Sequence, residues 1–296
     1  MSYLTFSSLG SSGGMCSQLQ SYASLLAVAK ANNKEIVFSK SMFNVGCGIK
    51  IFDLLDITPT IKPDDFFKEF KIKEINFNHT PYDETLFNLD NSNYDIGGRF
   101  DLYTYWYNDI KKTVDGWKFK EDIFANAQER LKRIKNILGW DKPTVSIHIR
   151  RGDYMLDRNH ALQVVNEDYY INSIIKEFNL ANDFNFLIFS NDIEYVKNIN
   201  FLKLLNEKYS NVWFVEPKDI DSHSYTSSEK DDLALLSLCD NHIITNSSYS
   251  WWGAYLSKNP NKKVICPTCW LNPRFNVAEW INGKYFPSSW INVDNI

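Results

Sequence analysis

From Thr144 to Cys266 the chain alternates short apolar runs with stretches whose apolar residues recur at helical spacing. Strands that read as continuous apolar runs are buried on both faces, and helical crossovers supply that cover, so the pattern calls for a parallel sheet flanked by helices. Strands are expected at Thr144 to Ile149, Phe184 to Ser190, Val212 to Val215, His242 to Thr245 and Lys263 to Cys266. Helices are expected from about Asn166, at Asp192 to Asn206, at Asp232 to Cys239 and at Ser248 to Leu256. In the first of these, Ile171, Ile174, Ile175 and Phe178 fall at i, i+3, i+4 and i+7 and predict the buried stripe. Five strands joined by four crossings make one doubly wound α/β domain.

The first half begins the same way. Tyr3 to Phe6 reads as a short strand, Ser7 to Gly14 as a Gly/Ser-rich turn, Gln18 to Ala31 as a helix of high propensity, and Glu35 to Phe38 as the next strand. Ile51 to Gly97 mixes charge, Pro and aromatic residues without a clear period and receives no assignment. A chain of 296 residues has the length of about two ordinary domains. With a hinge at Leu138 to Lys142, the expected division is 1–140, 141–270 and a tail of 271–296, carrying Trp280 and Trp290, that packs back. Two Rossmann-like domains facing a cleft would place the Gly14 turn and the Arg150 strand end on opposite walls.

Composition excludes several classes. Hydrophobic residues at 44% and charged residues at 23%, with no biased tract, describe a globular chain rather than a disordered or fibrous one. A net charge of −4 argues against a general nucleic-acid binder, so any anionic ligand must meet a local cluster of cations. Aromatic residues reach 15%; their faces stack on sugars and bases as well as filling cores. Cys16, Cys47, Cys239, Cys266 and Cys269 are odd in number and irregular in spacing, and read as reduced thiols. Cys266-Pro-Thr-Cys269 lacks the second ligand pair of a structural zinc site, and it follows a strand instead of opening a helix, against a redox role. The start shows no charged segment leading into an apolar run, and no stretch approaches about 18 apolar residues, so neither a signal peptide nor a membrane span is expected. A cytoplasmic location follows, compatible with peripheral association at the inner membrane face, and the sequons at Asn78 and Asn246 then carry no chemistry.

Three predicted strands end in polar groups. After the first come His148, Arg150, Arg151 and Asp153; after the second, Ser190, Asn191 and Asp192; after the fourth, Thr245, Asn246, Ser247 and Ser248, opening a helix. Ligands of open α/β sheets bind outside such ends. Adjacent guanidinium groups present planar forks of donors that match phosphate oxygens and keep their charge, which points to a diphosphate held without a metal. Helix N-terminal amides supplemented by Ser hydroxyls form a further anion site. Each feature also has a plain structural reading, as an ion pair from Arg150 or Arg151 to Asp153 and as an N-cap at Ser247 and Ser248. Three polar ends on one sheet edge favour the ligand.

His148-Ile149-Arg150-Arg151-Gly152-Asp153 resembles the H-x-R-R-x-D signature of the α1,2- and α1,6-fucosyltransferases and protein O-fucosyltransferases. Asn246-Ser247-Ser248-Tyr249-Ser250-Trp251-Trp252-Gly253-Ala254-Tyr255-Leu256 is similar to the block specific to bacterial-type α1,2-fucosyltransferases, glycosyltransferase family 11. Phe189-Ser190-Asn191-Asp192 and Asp232-Leu233-Ala234-Leu235-Leu236-Ser237 extend the resemblance over most of residues 144–270. It implies a GT-B-like α/β fold and an inverting, metal-independent transferase that moves L-fucose from GDP-fucose to the 2-hydroxyl of a terminal galactose on a glycan. The donor is a substrate, and no cofactor is implied. Arg150 would hold the β-phosphate and stabilise departing GDP, Ser247 and Ser248 would add phosphate contacts, and His148 and Asp232 would address guanine. Arg151, Asp192, Asn246 and Tyr249 would belong to the same donor site, in a C-terminal GDP-fucose-binding domain facing an N-terminal acceptor-side domain. The alternatives are another linkage, acceptor or nucleotide sugar, and a catalytically weak nucleotide-sugar-binding homologue.

Gly13-Gly14-Met15-Cys16-Ser17-Gln18 departs from the family's usual Gly-Gly-x-Gly-Asn-Gln, with Cys16 for a Gly and Ser17 for the Asn; Gly14, Ser17 and Gln18 form the substrate-side loop. The Cβ of Cys16 would penalise a left-handed backbone there. A general base must reach the acceptor hydroxyl by a hydrogen bond, and Asp153, Asp157, Asp192 and Glu167 are the candidates, Asp153 also being suited to orienting the arginines. Asp219-Ile220-Asp221 is a D-x-D of the kind that holds a divalent metal, but its polar, acidic surroundings read as a solvated turn, and no metal is expected. Arg151-Gly152-Asp153 is also the integrin tripeptide, a reading that its place after a buried strand opposes.

Overall fold

The computed structural model describes all residues except 1, 12, 73–82, 98–102, 157–160, 179–182, 210, 217–227, 275–284 and 296, and residues 71, 72 and 209 by their backbone alone. Met1–Lys120 and Glu121–Ile296 form separate units.

In the first unit β1 (Tyr3–Thr5) leads to α1 (Met15–Ala31), β2 (Glu35–Ile36), β3 (Phe38–Ser39), α2 (Ile51–Leu54), β4 (Ile61–Lys62), β5 (Lys71–Ile72), β6 (Tyr94–Asp95) and α3 (Tyr107–Asp115). A parallel sheet runs in the order β2-β1-β6-β5, and β3 pairs with β4 separately. Leu19, Ala23, Leu25, Ala27 and Val28 of α1 are fully covered, so α1 is a core helix rather than a surface one. Strands of two or three residues make few ladder bonds, and side chains fix the connections instead. Gln18, fully buried in α1, donates from Nε2 to the Gly48 carbonyl at 2.8 Å and accepts at Oε1 from the Lys50 amide at 2.9 Å. Lys34 Nζ donates to the carbonyls of Asp90 and Ser92 at 2.6 and 2.8 Å.

The second unit opens with α4 (Glu121–Leu138), followed by β7 (Thr144–Ile149), α5 (Glu167–Phe178), β8 (Asn185–Ser190), α6 (Ile193–Val196) and α7 (Asn200–Tyr209). Then come β9 (Val212–Phe214), α8 (Glu229–Ser237), β10 (Asn241–Ile243), α9 (Ser248–Leu256), β11 (Val264–Pro267) and β12 (Ile291–Val293). The six strands are all parallel, in the order β12-β11-β10-β7-β8-β9. The chain winds outward from β7 through β9, returns to β10 beside β7, and winds the other way. The reversal between β7 and β10 is the switch point at which doubly wound sheets open a ligand crevice. Every residue of β7 is buried; Val145, Ile147 and Ile149 join a core with Phe186, Ile188, Ile243 and Ile265, covered by Tyr169, Tyr170, Ile174 and Phe178 of α5. Each such side chain contributes about 1.5–3 kcal/mol by leaving water. The alternate positions of β7 are polar, and the first two are paired: Thr144 donates twice to Asp240 Oδ2, at 2.7 and 2.9 Å, and Ser146 Oγ lies 2.8 Å from His242 Nδ1 on β10.

Several expectations change. The division falls before α4 rather than after it, because α4 packs on α8 within the second unit. The buried face of α5 is Tyr169, Tyr170, Ser173, Ile174 and Phe178; Ile171 is half-buried and Ile175 is 47% exposed. The two tyrosines win the buried face because their hydroxyls find carbonyl acceptors inside it, Tyr169 at Ile244 O (2.5 Å) and Tyr170 at His148 O (3.3 Å). The helix expected over Asp192 to Asn206 is two, α6 and α7, and the strand over Glu35 to Phe38 is split between two sheets. The tail supplies a sixth strand, β12, and Trp290 packs 5.2 Å from Trp251; Trp280 lies outside the described residues. α1 starts at Met15, so Cys16 is helical, and among the described non-glycine residues only Asn33 has a positive φ, 51°. The left-handed penalty foreseen at Cys16 does not arise. No helix among the described residues is long and apolar enough to cross a membrane.

Candidate functional site

Beyond Ile149, β7 leaves the sheet in a tight turn that gives the two arginines different partners. Arg150 Nη2 pairs with Asp153 Oδ1 at 2.8 Å, and its guanidinium lies 5.5 Å from the centre of the Tyr154 ring. Arg151 stacks 3.4 Å over the Tyr195 ring and donates from Nε to Asp192 Oδ2 at 3.3 Å. Asn191, at the end of the neighbouring strand β8, staples the turn: Oδ1 accepts from the Arg151 amide at 3.0 Å and Nδ2 donates to Asp153 Oδ1 at 3.4 Å. Gly152 has φ +34°, and a Cβ there would stand 2.3 Å from Asn191 Nδ2, so glycine is what lets the staple close.

His148, Arg150, Asp232 and Tyr249 line one pocket of about 270 Å³, together with Phe189, Ser190, Asn191, Val215 and Glu229. The pocket sits at the carboxyl ends of β7 and β8 and the first turns of α8 and α9. His148 is buried, 5.3 Å from the Tyr249 ring; burial and then the Arg150 charge hold its pKa down to about 3, so it is a neutral imidazole. Its Nδ1 and Arg150 Nε are buried without a hydrogen-bond partner among the described residues. Buried polar groups are usually hydrogen-bonded, and both of these residues line the pocket. The Asp232 carboxylate, a quarter exposed, is held by Arg130 Nη1 at 2.5 Å.

Tyr154 ties the β7 turn to the start of α9. Its hydroxyl donates to the Asn246 carbonyl at 2.9 Å and is also hydrogen-bonded to the Ser247 side chain, while burial raises its pKa to about 12 and keeps it protonated. Ser247 occupies the N-cap of α9 without a side-chain cap bond, so its hydroxyl goes to Tyr154 rather than to the helix amides. Asn246 is fully buried, and both donors of its amide are committed, to Gln163 O at 3.0 Å and Trp270 O at 3.1 Å; it builds the loop rather than the pocket.

The remaining expected residues are distributed unevenly. Arg151, Asp153 and Asp192 surround the pocket's rim by fixing the turn but do not line it, and neither do Ser247 and Ser248. Gly14, Ser17 and Gln18 belong to the first unit, where Gln18 holds a loop. Glu167 is exposed in the first turn of α5; Asp157 and Asp219-Ile220-Asp221 lie outside the described residues. Trp251 and Trp252 are core: Gly253 lets α9 approach Leu236 of α8, where a Cβ would stand 2.5 Å from Leu236 Cδ2, and Trp251 Nε1 donates to Tyr285 O at 2.9 Å. Cys266 and Cys269 are both free thiols, and burial raises the Cys266 pKa. Sequence reasoning missed Arg130, Tyr154, Val215 and Glu229. Tyr154 alone had a local signal, an aromatic residue immediately following the Arg-Arg-Gly-Asp turn.

Residues 9–293 match the profile of glycosyl transferase family 11. The chain is 31% identical over 202 residues to an alpha-1,2-colitosyltransferase of Escherichia coli, covering 67% of this chain and 63% of the relative. It is 30% identical over 173 residues to the O-antigen biosynthesis glycosyltransferase WbnK of Escherichia coli, covering 56% and 53%. Against galactoside alpha-(1,2)-fucosyltransferase 1 of Alouatta belzebul the identity is 23% over 250 residues, covering 83% and 63%. The chain thus spans about half to two thirds of the length of these curated relatives. Among solved structures it is similar to POFUT1 in complex with GDP, with a TM-score of 0.55, 12% identity and coverage of 90% and 98%. It is also similar to an Arabidopsis thaliana FUT1 mutant in complex with GDP, with a TM-score of 0.54, 12% identity and coverage of 90% and 70%. These likenesses show the fold, a GT-B-like α/β architecture with parallel sheets. By the match over nearly its whole length, the chain belongs to glycosyl transferase family 11.

Proposed function

We propose that this protein is an inverting, metal-independent glycosyltransferase that moves L-fucose from GDP-fucose to the 2-hydroxyl of a terminal galactose on a glycan. The observation that carries the reading is the gathering of His148, Arg150, Asp232 and Tyr249 around one pocket at the carboxyl ends of β7 and β8, two of them with buried donor or acceptor atoms that lack a partner among the described residues. In this reading the acceptor oxygen attacks the anomeric carbon from the face opposite GDP, the bond from that carbon to the β-phosphate oxygen breaks, and the proton of the acceptor hydroxyl passes to a carboxylate base, for which Asp153, Asp157, Asp192 and Glu167 are the candidates. Arg150, oriented by Asp153, meets the charge that grows on the leaving oxygen, an interaction that strengthens only as the bond lengthens. The neutral imidazole of His148 and the carboxylate of Asp232 face the guanine, whose N1–H and 2-amino groups are both donors. Arg151 and Asp192 keep the turn in place, and the first unit takes the acceptor. The same proposal has the protein in the cytoplasm, a location compatible with peripheral association at the inner membrane face.

Purified protein, GDP-fucose and a panel of galactosides in excess chelator provide the test, with products read by mass spectrometry and linkage analysis. An α1,2-fucosylated galactoside is expected; a strict metal requirement, or product only with other nucleotide sugars, contradicts the proposal. A second reading is favoured by the 31% identity to a colitosyltransferase: the same site and linkage with a colitosyl donor. Direct competition between the fucosyl and colitosyl donors separates the two.

A further inference from the structure

Arg130 lies on α4, outside every motif, yet it is the buried cation behind the pocket wall. Its side chain is 5% exposed; Nη1 donates to Asp232 Oδ1 at 2.5 Å and Nη2 donates to the Glu216 carbonyl at 2.8 Å. Asp232 and Val215, the residue before Glu216, both line the pocket. One guanidinium therefore joins α4, α8 and the chain leaving β9 at a single point. A buried guanidinium is tolerated only when paired and hydrogen-bonded, and this one satisfies that demand with the groups that shape the pocket.

We infer that Arg130 is a positioning residue for nucleobase selectivity, holding the Asp232 carboxylate in the position that meets a base edge with two adjacent N–H donors. The inference rests on the donor site proposed above. A carboxylate has about four lone-pair sites, so accepting from Arg130 does not exhaust it. The rigid guanidinium, anchored at Nη2 by the Glu216 carbonyl, sets the point at which Nη1 meets Asp232 Oδ1, whereas the single ammonium of a lysine cannot hold both partners in that fixed geometry. Guanine offers a ring N–H and an amino group on one edge; hypoxanthine keeps the ring N–H and lacks the amino group; adenine presents a ring acceptor there and is repelled.

The experiment is calorimetric binding of GDP, IDP and ADP to the unmodified protein, to Arg130→Lys and to Asp232→Glu, with a thermal melt for each. Asp232→Glu keeps the ion pair but displaces the carboxylate, so it remains informative where Arg130→Lys does not fold. The unmodified protein is expected to prefer GDP, and in both variants the GDP-to-IDP preference falls by about tenfold, the scale of one hydrogen bond to a charged group. IDP, which keeps the ring N–H contact, weakens by less than GDP, and binding of ADP, carried by the phosphates, changes little. If Arg130 merely fastened α4 to α8, melting temperature would fall while all three nucleotides weakened in proportion; an unchanged GDP-to-IDP ratio overturns the inference. Failure of the unmodified protein to bind GDP overturns the donor site itself, and with it the inference.

Discussion

The two units solve the placement of polar loops in different ways. In the second, β7 and β8 are six residues long and buried almost throughout, so their ends are held by a ladder and a continuous core. In the first, strands of two or three residues leave that work to individual side chains, Gln18 for the loop at 47–50 and Lys34 for the carbonyls of Asp90 and Ser92. The contrast teaches where precise chemistry can be placed. A strand end backed by a packed core fixes His148 directly and needs only the Asp153, Asn191 and Tyr154 side chains to set the turn beyond it, whereas the loop at 47–50 has no such strand beneath it and leans on Gln18 and on bonds to the Gly10 and Phe43 carbonyls.

If that contrast holds, Arg150→Ala has the largest effect, about 10²- to 10³-fold on the rate of transfer, with little change in melting temperature, because the core beneath it is untouched. Product formation under saturating donor reads it. Ile188→Ala, in the fully covered core of the second unit, is expected to cost about 2–5 kcal/mol in urea denaturation, while hydrogen exchange in the first unit stays unchanged. Acid should unfold the second unit first. His148 and His242 are both there, and burial, aided by Arg150 and Lys262 respectively, lowers each pKa from 6.5 to about 3. Between those values the unfolded chain takes up protons that the folded unit refuses. The stabilisation is therefore full above about pH 6.5 and is lost as pH falls toward 3, at about 1.4 kcal/mol per pH unit for each histidine. His242→Asn should flatten that slope by one histidine's share, which pH-dependent melts can detect.

The first unit gives the smaller effects. Gln18→Ala leaves the Gly48 carbonyl and the Lys50 amide without their partner and is expected to cost about 1–3 kcal/mol, with the loop's exchange protection lost ahead of the rest of the unit. Equal loss of protection across the whole unit would show that the loop does not lean on this amide. Cys16→Gly, restoring the residue usual in the family, places glycine in the first turn of α1 and should cost about 1 kcal/mol in thermal unfolding.

The same contrast decided what could be read in advance. β7, β8 and α9 were legible because a long buried strand and a polar strand end leave strong local patterns. The sheets of the first unit were not, since a two-residue strand has no period to detect. Ile175 was misplaced because helical spacing cannot distinguish an isoleucine stripe from a tyrosine face whose hydroxyls find buried carbonyls. Arg130 acquires its meaning only through the packing of α4 on α8, which brings it to Asp232 across 102 residues of sequence. The two arginines look equivalent in sequence; the structure sets them apart, with Arg150 lining the pocket and Arg151 stacked on Tyr195 and bonded to Asp192.

Calorimetric titration of GDP and GMP, in excess chelator, into the unmodified protein and Arg150→Ala tests most directly whether the pocket at the ends of β7 and β8 takes a guanosine diphosphate through Arg150. The account predicts that GDP binds the unmodified protein without metal, that Arg150→Ala weakens GDP by about tenfold or more, and that GMP, which lacks the β-phosphate, is nearly unaffected. Equal GDP affinity in the two proteins would contradict it.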